Sequence, residues 1–365
     1  MLRKYQKIGL VLLFCCFPLL SGCDPSGGMR QLHNVSYDPT FQFYTEYNAA
    51  FVRHWYETTG ETVRVRQSHG GSGKQSRSII DGNNADVATL ALAFDIDSIA
   101  RANPALLDAD WQQALPNNSC PYTSTIVFLV RSGNPRGIQD WDCLLRPDIQ
   151  IVTPDPHTSG GARWNYLAAW GFILHRELDG DWGLLHDPAA SERIEAAQAA
   201  AFEFVTALFN NRKSPIKDVG ARGSTVTFVD RRQGDVLLAW ENEAILVQRL
   251  HAGGNNFEIV TPSVSILAEP AVAVITGYAR RNGKEDLAEA YLLYLYSDEG
   301  QQIIARHHYR PYNQELLQQL FDDSNSGINR LELFTVDEVF GGWTNAHSKH
   351  FDRGGTYERI AMMRM

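Results

Sequence analysis

Gln67-Ser68-His69-Gly70-Gly71-Ser72-Gly73-Lys74-Gln75 and Thr158-Ser159-Gly160-Gly161-Ala162-Arg163-Trp164-Asn165-Tyr166 each lead from a strand-like run through Ser and Gly into a helix-like one. A helix N-terminus leaves its first backbone N–H groups unpaired and carries partial positive charge, so such a turn can hold an oxyanion. Glycine lets the backbone come close to that ligand. Two of these turns in one chain point to a bound tetrahedral anion.

Neither run is a nucleotide or nucleophile motif. Gly73-Lys74 lacks the glycine that a P-loop needs five residues earlier, where Ser68 stands, and Gln75 replaces the Ser or Thr that would bind magnesium. Ser72 has Gly70 two residues before it but Lys74 two after, so a nucleophile elbow fails as well. No Ser/His/Asp or Cys/His arrangement stands out, and no enzymatic activity is expected. No metal or cofactor is expected either: the 11 histidines are scattered, and the adjacent pair His307-His308 lacks partners at ligand spacing.

Three further stretches carry candidate donors. Asn34-Val35-Ser36-Tyr37-Asp38-Pro39-Thr40 reads as a strand end and a helix start, with Asp38 as N-cap, Pro39 at the first helical position and the Asp38 amide close by. Asp218-Val219-Gly220-Ala221-Arg222-Gly223-Ser224-Thr225 is another glycine turn before a helix, in which Arg222 could reach an anion or pair with a carboxylate. Trp240 ends the apolar strand Asp235-Val236-Leu237-Leu238-Ala239-Trp240, and its indole N–H donates but cannot accept.

Strand-like runs such as Val63-Arg64-Val65-Arg66, Ala85-Asp86-Val87-Ala88-Thr89-Leu90 and Ile149-Gln150-Ile151-Val152 alternate with helical ones, which predicts α/β architecture. Phe43, Tyr47, Phe51 and Trp55 recur every fourth residue and form one core-facing helical stripe. The segment 175–217 reads as a polar loop followed by an Ala-rich helix from Ser191 to Asn210. A chain of this length exceeds one comfortable core, so two lobes are expected. The β-rich runs 124–131 and 271–276 are the expected crossings between them.

Residues 1–22 have the shape of a signal peptide: Arg3, Lys4 and Lys7, an apolar run too short to span a bilayer, then Leu20-Ser21-Gly22-Cys23. That ending resembles a bacterial lipobox, which makes Cys23 the lipidated first residue and 23–33 a tether; Asp24 resembles the signal for retention at the inner membrane. Removing residues 1–22 leaves 30 Lys+Arg against 42 Asp+Glu, a formal charge of −12. That balance argues against nucleic acid and means an anion must be captured by local groups. Of the cysteines left, Cys120 and Cys143 form an even pair in an oxidising compartment and are the candidate disulfide.

Taken together, the stretches 34–40, 66–75, 122–131, 159–170, 220–225, 234–243, 266–270 and 339–343 carry a resemblance. The chain resembles the periplasmic sulfate-binding proteins that feed sulfate ABC importers. The resemblance implies a type II periplasmic binding fold, two α/β lobes joined by two hinge strands with the ligand cleft between them. Lobe I would take 34–123 and 277–365, and lobe II 132–270. It further implies sulfate held without counter-charge by neutral donors: the Asp38 amide, the Ser72 and Ser159 hydroxyls, the amides of Gly160, Gly161 and Ala221, and the Trp240 indole. The implied partners are sulfate, with thiosulfate as the alternative, and importer permease subunits, met by a monomer in the periplasm. A sulfate sensor is a further reading.

Overall fold

The computed structural model describes residues 29–210, 215–251 and 256–363. The signal peptide, Cys23 and the tether up to residue 28 lie outside these. The tether was expected to run to His33, but strand β1 (Arg30–Tyr37) already begins at Arg30. Leu32 is fully buried beside Phe43 and Tyr47, and the Arg30 guanidinium is held between Glu61 and Asp286.

After β1 come α1 (Phe41–Thr59), β2 (Val63–Gly70), α2 (Ser72–Ile80), β3 (Val87–Leu90) and α3 (Ala93–Ala102). A short α4 (Pro116–Ser119) leads to β4 (Tyr122–Thr123), β5 (Ile126–Arg131), β6 (Ile151–Pro154), α5 (Gly160–Glu177) and α6 (Ser191–Asn210). Then follow β7 (Ile216–Asp218), α7 (Ala221–Val229), β8 (Val236–Trp240), α8 (Glu241–Leu250), β9 (Phe257–Val260), β10 (Val264–Ile266) and β11 (Ala271–Val274). The chain continues through α9 (Thr276–Arg281), α10 (Glu285–Leu293), α11 (Asp298–Arg306), β12 (Arg310–Pro311), α12 (Gln314–Asp322) and β13 (Glu332–Phe334). It closes with α13 (Val336–Phe340), α14 (Trp343–His350) and α15 (Thr356–Met362). Among the described residues, no helix is long and apolar enough to cross a membrane.

Two sheets organise these elements, in the orders β11-β3-β1-β2 and β7-β6-β8-β5-β9. Both are covered on both faces, because successive side chains of a strand point to opposite sides. In the first sheet Val87 and Val272 face one core while Ala88, Ala271 and Ala273 face another. In the second, Ile126, Phe128 and Val130 of β5 face one side, and Val127 and Leu129 the other. The stripe expected in α1 is seen: Phe43, Tyr47 and Phe51 are buried in the first lobe and Trp55 packs beside them. The helix expected from Ser191 to Asn210 is α6.

The crossing between lobes differs from the expected hinge strands. β5 is interior to the second sheet and β11 belongs to the first, so the crossings are the residues just before each strand. Ser124 and Ala268 form an antiparallel bridge there, each amide donating to the other's carbonyl at 2.9 Å. The C-terminal part also departs from its expected place in lobe I. β13 pairs with β10, and Tyr357 and Ile360 of α15 join the core of the second lobe. The expected disulfide is corrected: Cys120 and Cys143 are both free. Cys120 is buried next to β4, where its thiol donates to the Tyr122 carbonyl at 3.1 Å. Cys143 packs on the second-lobe core in the turn Trp141–Leu145.

Glu269 lies in the second crossing, where burial, aided by the Asp337 charge, pushes its carboxyl from 4.5 up to about 7. The folded state therefore binds more protons than the unfolded chain between those values, and stability falls as pH rises through that window. Glu269→Gln should flatten the slope and raise the urea midpoint above pH 7 while changing little below pH ~4.5. Equal midpoint shifts at both ends would refute this.

Candidate functional site

Five segments at the carboxyl ends of parallel or mixed strands converge between the lobes. They follow β1, β2, β6, β7 and β8, joined by Ala91 just after β3, the edge where open α/β sheets place their ligands. Asp38, Ser72, Ser159, Gly160, Gly161, Ala221 and Trp240 all line one small cavity. Tyr37, Pro39, Gly70, Gly71 and Ala91 complete the lining, which holds no lysine or arginine side chain.

The donors arise from local structure. Ser159 caps α5 by accepting from the Ala162 amide at 3.4 Å, which leaves its hydroxyl proton free to donate elsewhere. Gly160, Gly161 and Ala221 are first-turn residues of α5 and α7, so their amides have no acceptor within the helix. The Trp240 indole is 2% exposed, and its Nε1 has no hydrogen-bond partner among the described residues. A buried donor left unpaired costs about 1–3 kcal/mol, so an acceptor belongs beside it.

Glycine is required at the head of α5, both for the approach of the first lobe and for the room the Trp240 indole takes. A Cβ at Gly160 would lie 2.9 Å from the Ala91 Cβ, and one at Gly161 would lie 2.5 Å from Trp240 Nε1. Both are shorter than real Cβ contacts, so side chains are excluded at the head of α5.

Two expected details are different. Asp38 is not an N-cap: Tyr37 holds that position, no side chain caps the turn, and Pro39 is second rather than first in it. The Asp38 carboxylate instead stands over Gly220, where a Cβ would meet Oδ2 at 2.6 Å. Burial pushes its carboxyl up, opposed by the charges of Arg222 and Lys74. Ser72, assigned as a donor to the ligand, gives its proton to Asp95 Oδ2 at 2.5 Å and accepts from the Ala91 amide at 3.1 Å.

Sequence reading missed several residues that shape the site. Asp95, 3% exposed, also faces the Arg163 guanidinium at 3.4 Å, which ties α3 to α5. The Trp164 indole donates to the Ala91 carbonyl at 3.0 Å across the same gap. Arg222 takes the carboxylate option: its Nη1 lies 3.3 Å from Oε2 of the buried Glu243. Burial pushes that carboxyl up, with Arg222 opposing. Asp95 sits in no recognisable motif, and Glu243 lies in the stretch 234–243 but with no role assigned to it, so only the fold could reveal what each does. Among the described residues, no group of three His, Cys, Asp or Glu is placed to hold a metal ion.

The family of bacterial extracellular solute-binding proteins matches residues 32–310. The chain belongs to this family. Its members are solute-binding transport proteins, which accords with a cleft rich in donors at helix starts. Among its relatives, the sulfate-binding protein of Escherichia coli (strain K12) is 51% identical over 356 residues, covering 98% of this chain and 99% of that one. The thiosulfate-binding protein of Pseudomonas aeruginosa is 44% identical over 331 residues, covering 91% of this chain and 92% of that one. The solved sulfate-binding protein SubI of Mycobacterium tuberculosis H37Rv superposes with a TM-score of 0.71 at 28% identity, over 88% of this chain and 100% of that one. This solute-binding protein therefore shares its fold with anion receptors across nearly its whole length.

Proposed function

We propose that this solute-binding protein captures sulfate in the periplasm, as a monomer, and delivers it to the permease subunits of an ABC importer. The carrying observation is a cavity lined by helix-start amides, a capping serine and an unpartnered indole, with no basic side chain. Such groups satisfy a dianion's lone pairs by charge-assisted hydrogen bonds. Asp38 and Ala221 contribute amides, and Gly160 and Gly161 contribute two more at the head of α5. Ser72 reaches the anion by sharing or releasing its bond to Asp95. Sulfate only accepts near neutral pH, whereas hydrogen phosphate carries a proton that needs an acceptor. A donor lining leaves that proton unpaired, at a cost of about 1–3 kcal/mol.

The 51% identity to a sulfate-binding protein, against 44% to a thiosulfate-binding one, favours sulfate over thiosulfate. Lipidation of Cys23 would keep the protein at the inner membrane, and mass spectrometry of the membrane-extracted N-terminus tests it by the presence or absence of acyl chains. Calorimetric titration with sulfate, thiosulfate and phosphate tests the main reading. Tight one-to-one sulfate binding with phosphate silent supports it, tighter thiosulfate binding transfers the protein to that ligand, and no heat with any of them refutes it. Ser159→Ala and Trp240→Phe should each weaken sulfate at least about tenfold, the loss of one charge-assisted bond. Unchanged affinity in both would remove these residues from the site.

A further inference from the structure

We propose that α14 is a latch on the closed cleft, gripping Phe94 and thereby setting how fast the bound anion leaves; this rests on the anion reading above. The helix is based on the second lobe. Its Ala346 joins that lobe's core, and the His350 ring, on the same helix, lies 3.1 Å from the Tyr166 hydroxyl and edge-on to Trp170 of α5. From this base α14 reaches the first lobe. The His347 ring stacks on Phe94 of α3 with centroids 3.7 Å apart and planes 11° from parallel. Trp343, at the start of α14, stands edge-on to Trp164 at 4.7 Å and also packs against the core of the first lobe.

Phe94 is well placed for this. It directly precedes Asp95, which holds Ser72 of the cavity, and the Arg101 guanidinium lies over its ring at 4.4 Å. Burial pushes His347 down to about 4, so its ring is neutral when it stacks. The stack joins α3 of one lobe to a helix built onto the other, so opening the cleft must separate it. Contacts that exist only in the closed state slow dissociation and leave association nearly unchanged. Neither aromatic lines the cavity, so both act through closure rather than on the ligand.

The test is stopped-flow measurement of sulfate association and release in the full chain and in Phe94→Ala, His347→Ala, the double variant and Phe94→Tyr. Release should speed up about fivefold in each alanine variant, the size of one aromatic pair, with association within about twofold. The double variant should release no faster than either single one, and Phe94→Tyr should keep the original rate. The melting temperature without sulfate should stay unchanged, which a purely core-packing role would not allow. An unchanged release rate in the alanine variants, or a fall in ligand-free melting temperature that accounts for the change, overturns the latch. No response of the unaltered chain to sulfate overturns the anion reading and the latch with it.

Discussion

Gly161→Ala should lower sulfate affinity at least about hundredfold, more than removal of any single side-chain donor. The added methyl would sit 2.5 Å from Trp240 Nε1, on the atom that has no partner in the protein. Trp240 cannot step back, since its ring is 2% exposed and lies between Tyr37 at 5.6 Å and Trp164 at 6.4 Å. Either the indole turns its N–H out of the cavity or the head of α5 shifts and carries the Gly161 amide with it. Each displaced bond to a charged acceptor is worth about 1.5–3 kcal/mol, and the methyl puts two at risk. Gly73→Ala is the matched control, because its Cβ would meet only Asp95 Oδ1, at an ordinary 3.7 Å. Calorimetry should find the control within about threefold of the original affinity, the span of small surface effects. Equal affinity for Gly161→Ala would show that the indole and the first turn of α5 do not share one ligand.

The site was legible in the sequence because its parts are local. A Ser/Gly turn between a strand and a helix places free amides wherever it occurs, and Ser72, Ser159, Gly160, Gly161 and Ala221 each lie in such a turn. Trp240 was legible as the end of an apolar strand. The linkages between those parts were not, since they join residues far apart in the chain. Ser72 and Asp95 are 23 positions apart and meet only because β1 brings the ends of β2 and β3 side by side. For the same reason Asp38 reads as a cap, the commonest use of its type, while its carboxylate is taken up at Gly220 in the other lobe. The cysteines show the converse error: an even count suggests a bond, but one thiol lies beside β4 and the other on the second-lobe core. Likewise, β-rich composition marked 124–131 and 271–276 as hinges, but most of these residues form β5 and β11 of the two sheets, and the crossings are the short segments that lead into those strands, around Ser124 and Ala268.

Arg310→Leu should destabilise the folded state by about 3–5 kcal/mol, the usual cost of removing one partner from a buried ion pair. The guanidinium holds Glu241 through two bonds, Nε to Oε2 at 2.7 Å and Nη2 to Oε1 at 2.8 Å, with side-chain exposures of 4% and 2%. Nη2 also donates to the Asn329 carbonyl at 2.8 Å. The pair spans the lobes at the crossing. β12 carries Arg310 and pairs with β4, while Glu241 opens α8 directly after Trp240 and donates its amide to the Thr125 carbonyl at 2.8 Å. Leucine leaves the carboxylate buried without a counter-charge and the Asn329 carbonyl without its donor. The partner variant Glu241→Leu should cost a similar amount, by leaving the guanidinium stranded. Combining the two removes both charges from a dry site, and an apolar pair of similar bulk is often nearly neutral. Urea unfolding of the sulfate-free protein should therefore show large losses in each single variant and a double variant well short of their sum. Additive losses would mean the two side chains act independently. A loss under about 1 kcal/mol in Arg310→Leu would mean water reaches the pair, as it does for surface ion pairs. The same variant should also loosen sulfate, because the residue that follows Trp240 would lose the tether that fixes its strand end to the crossing.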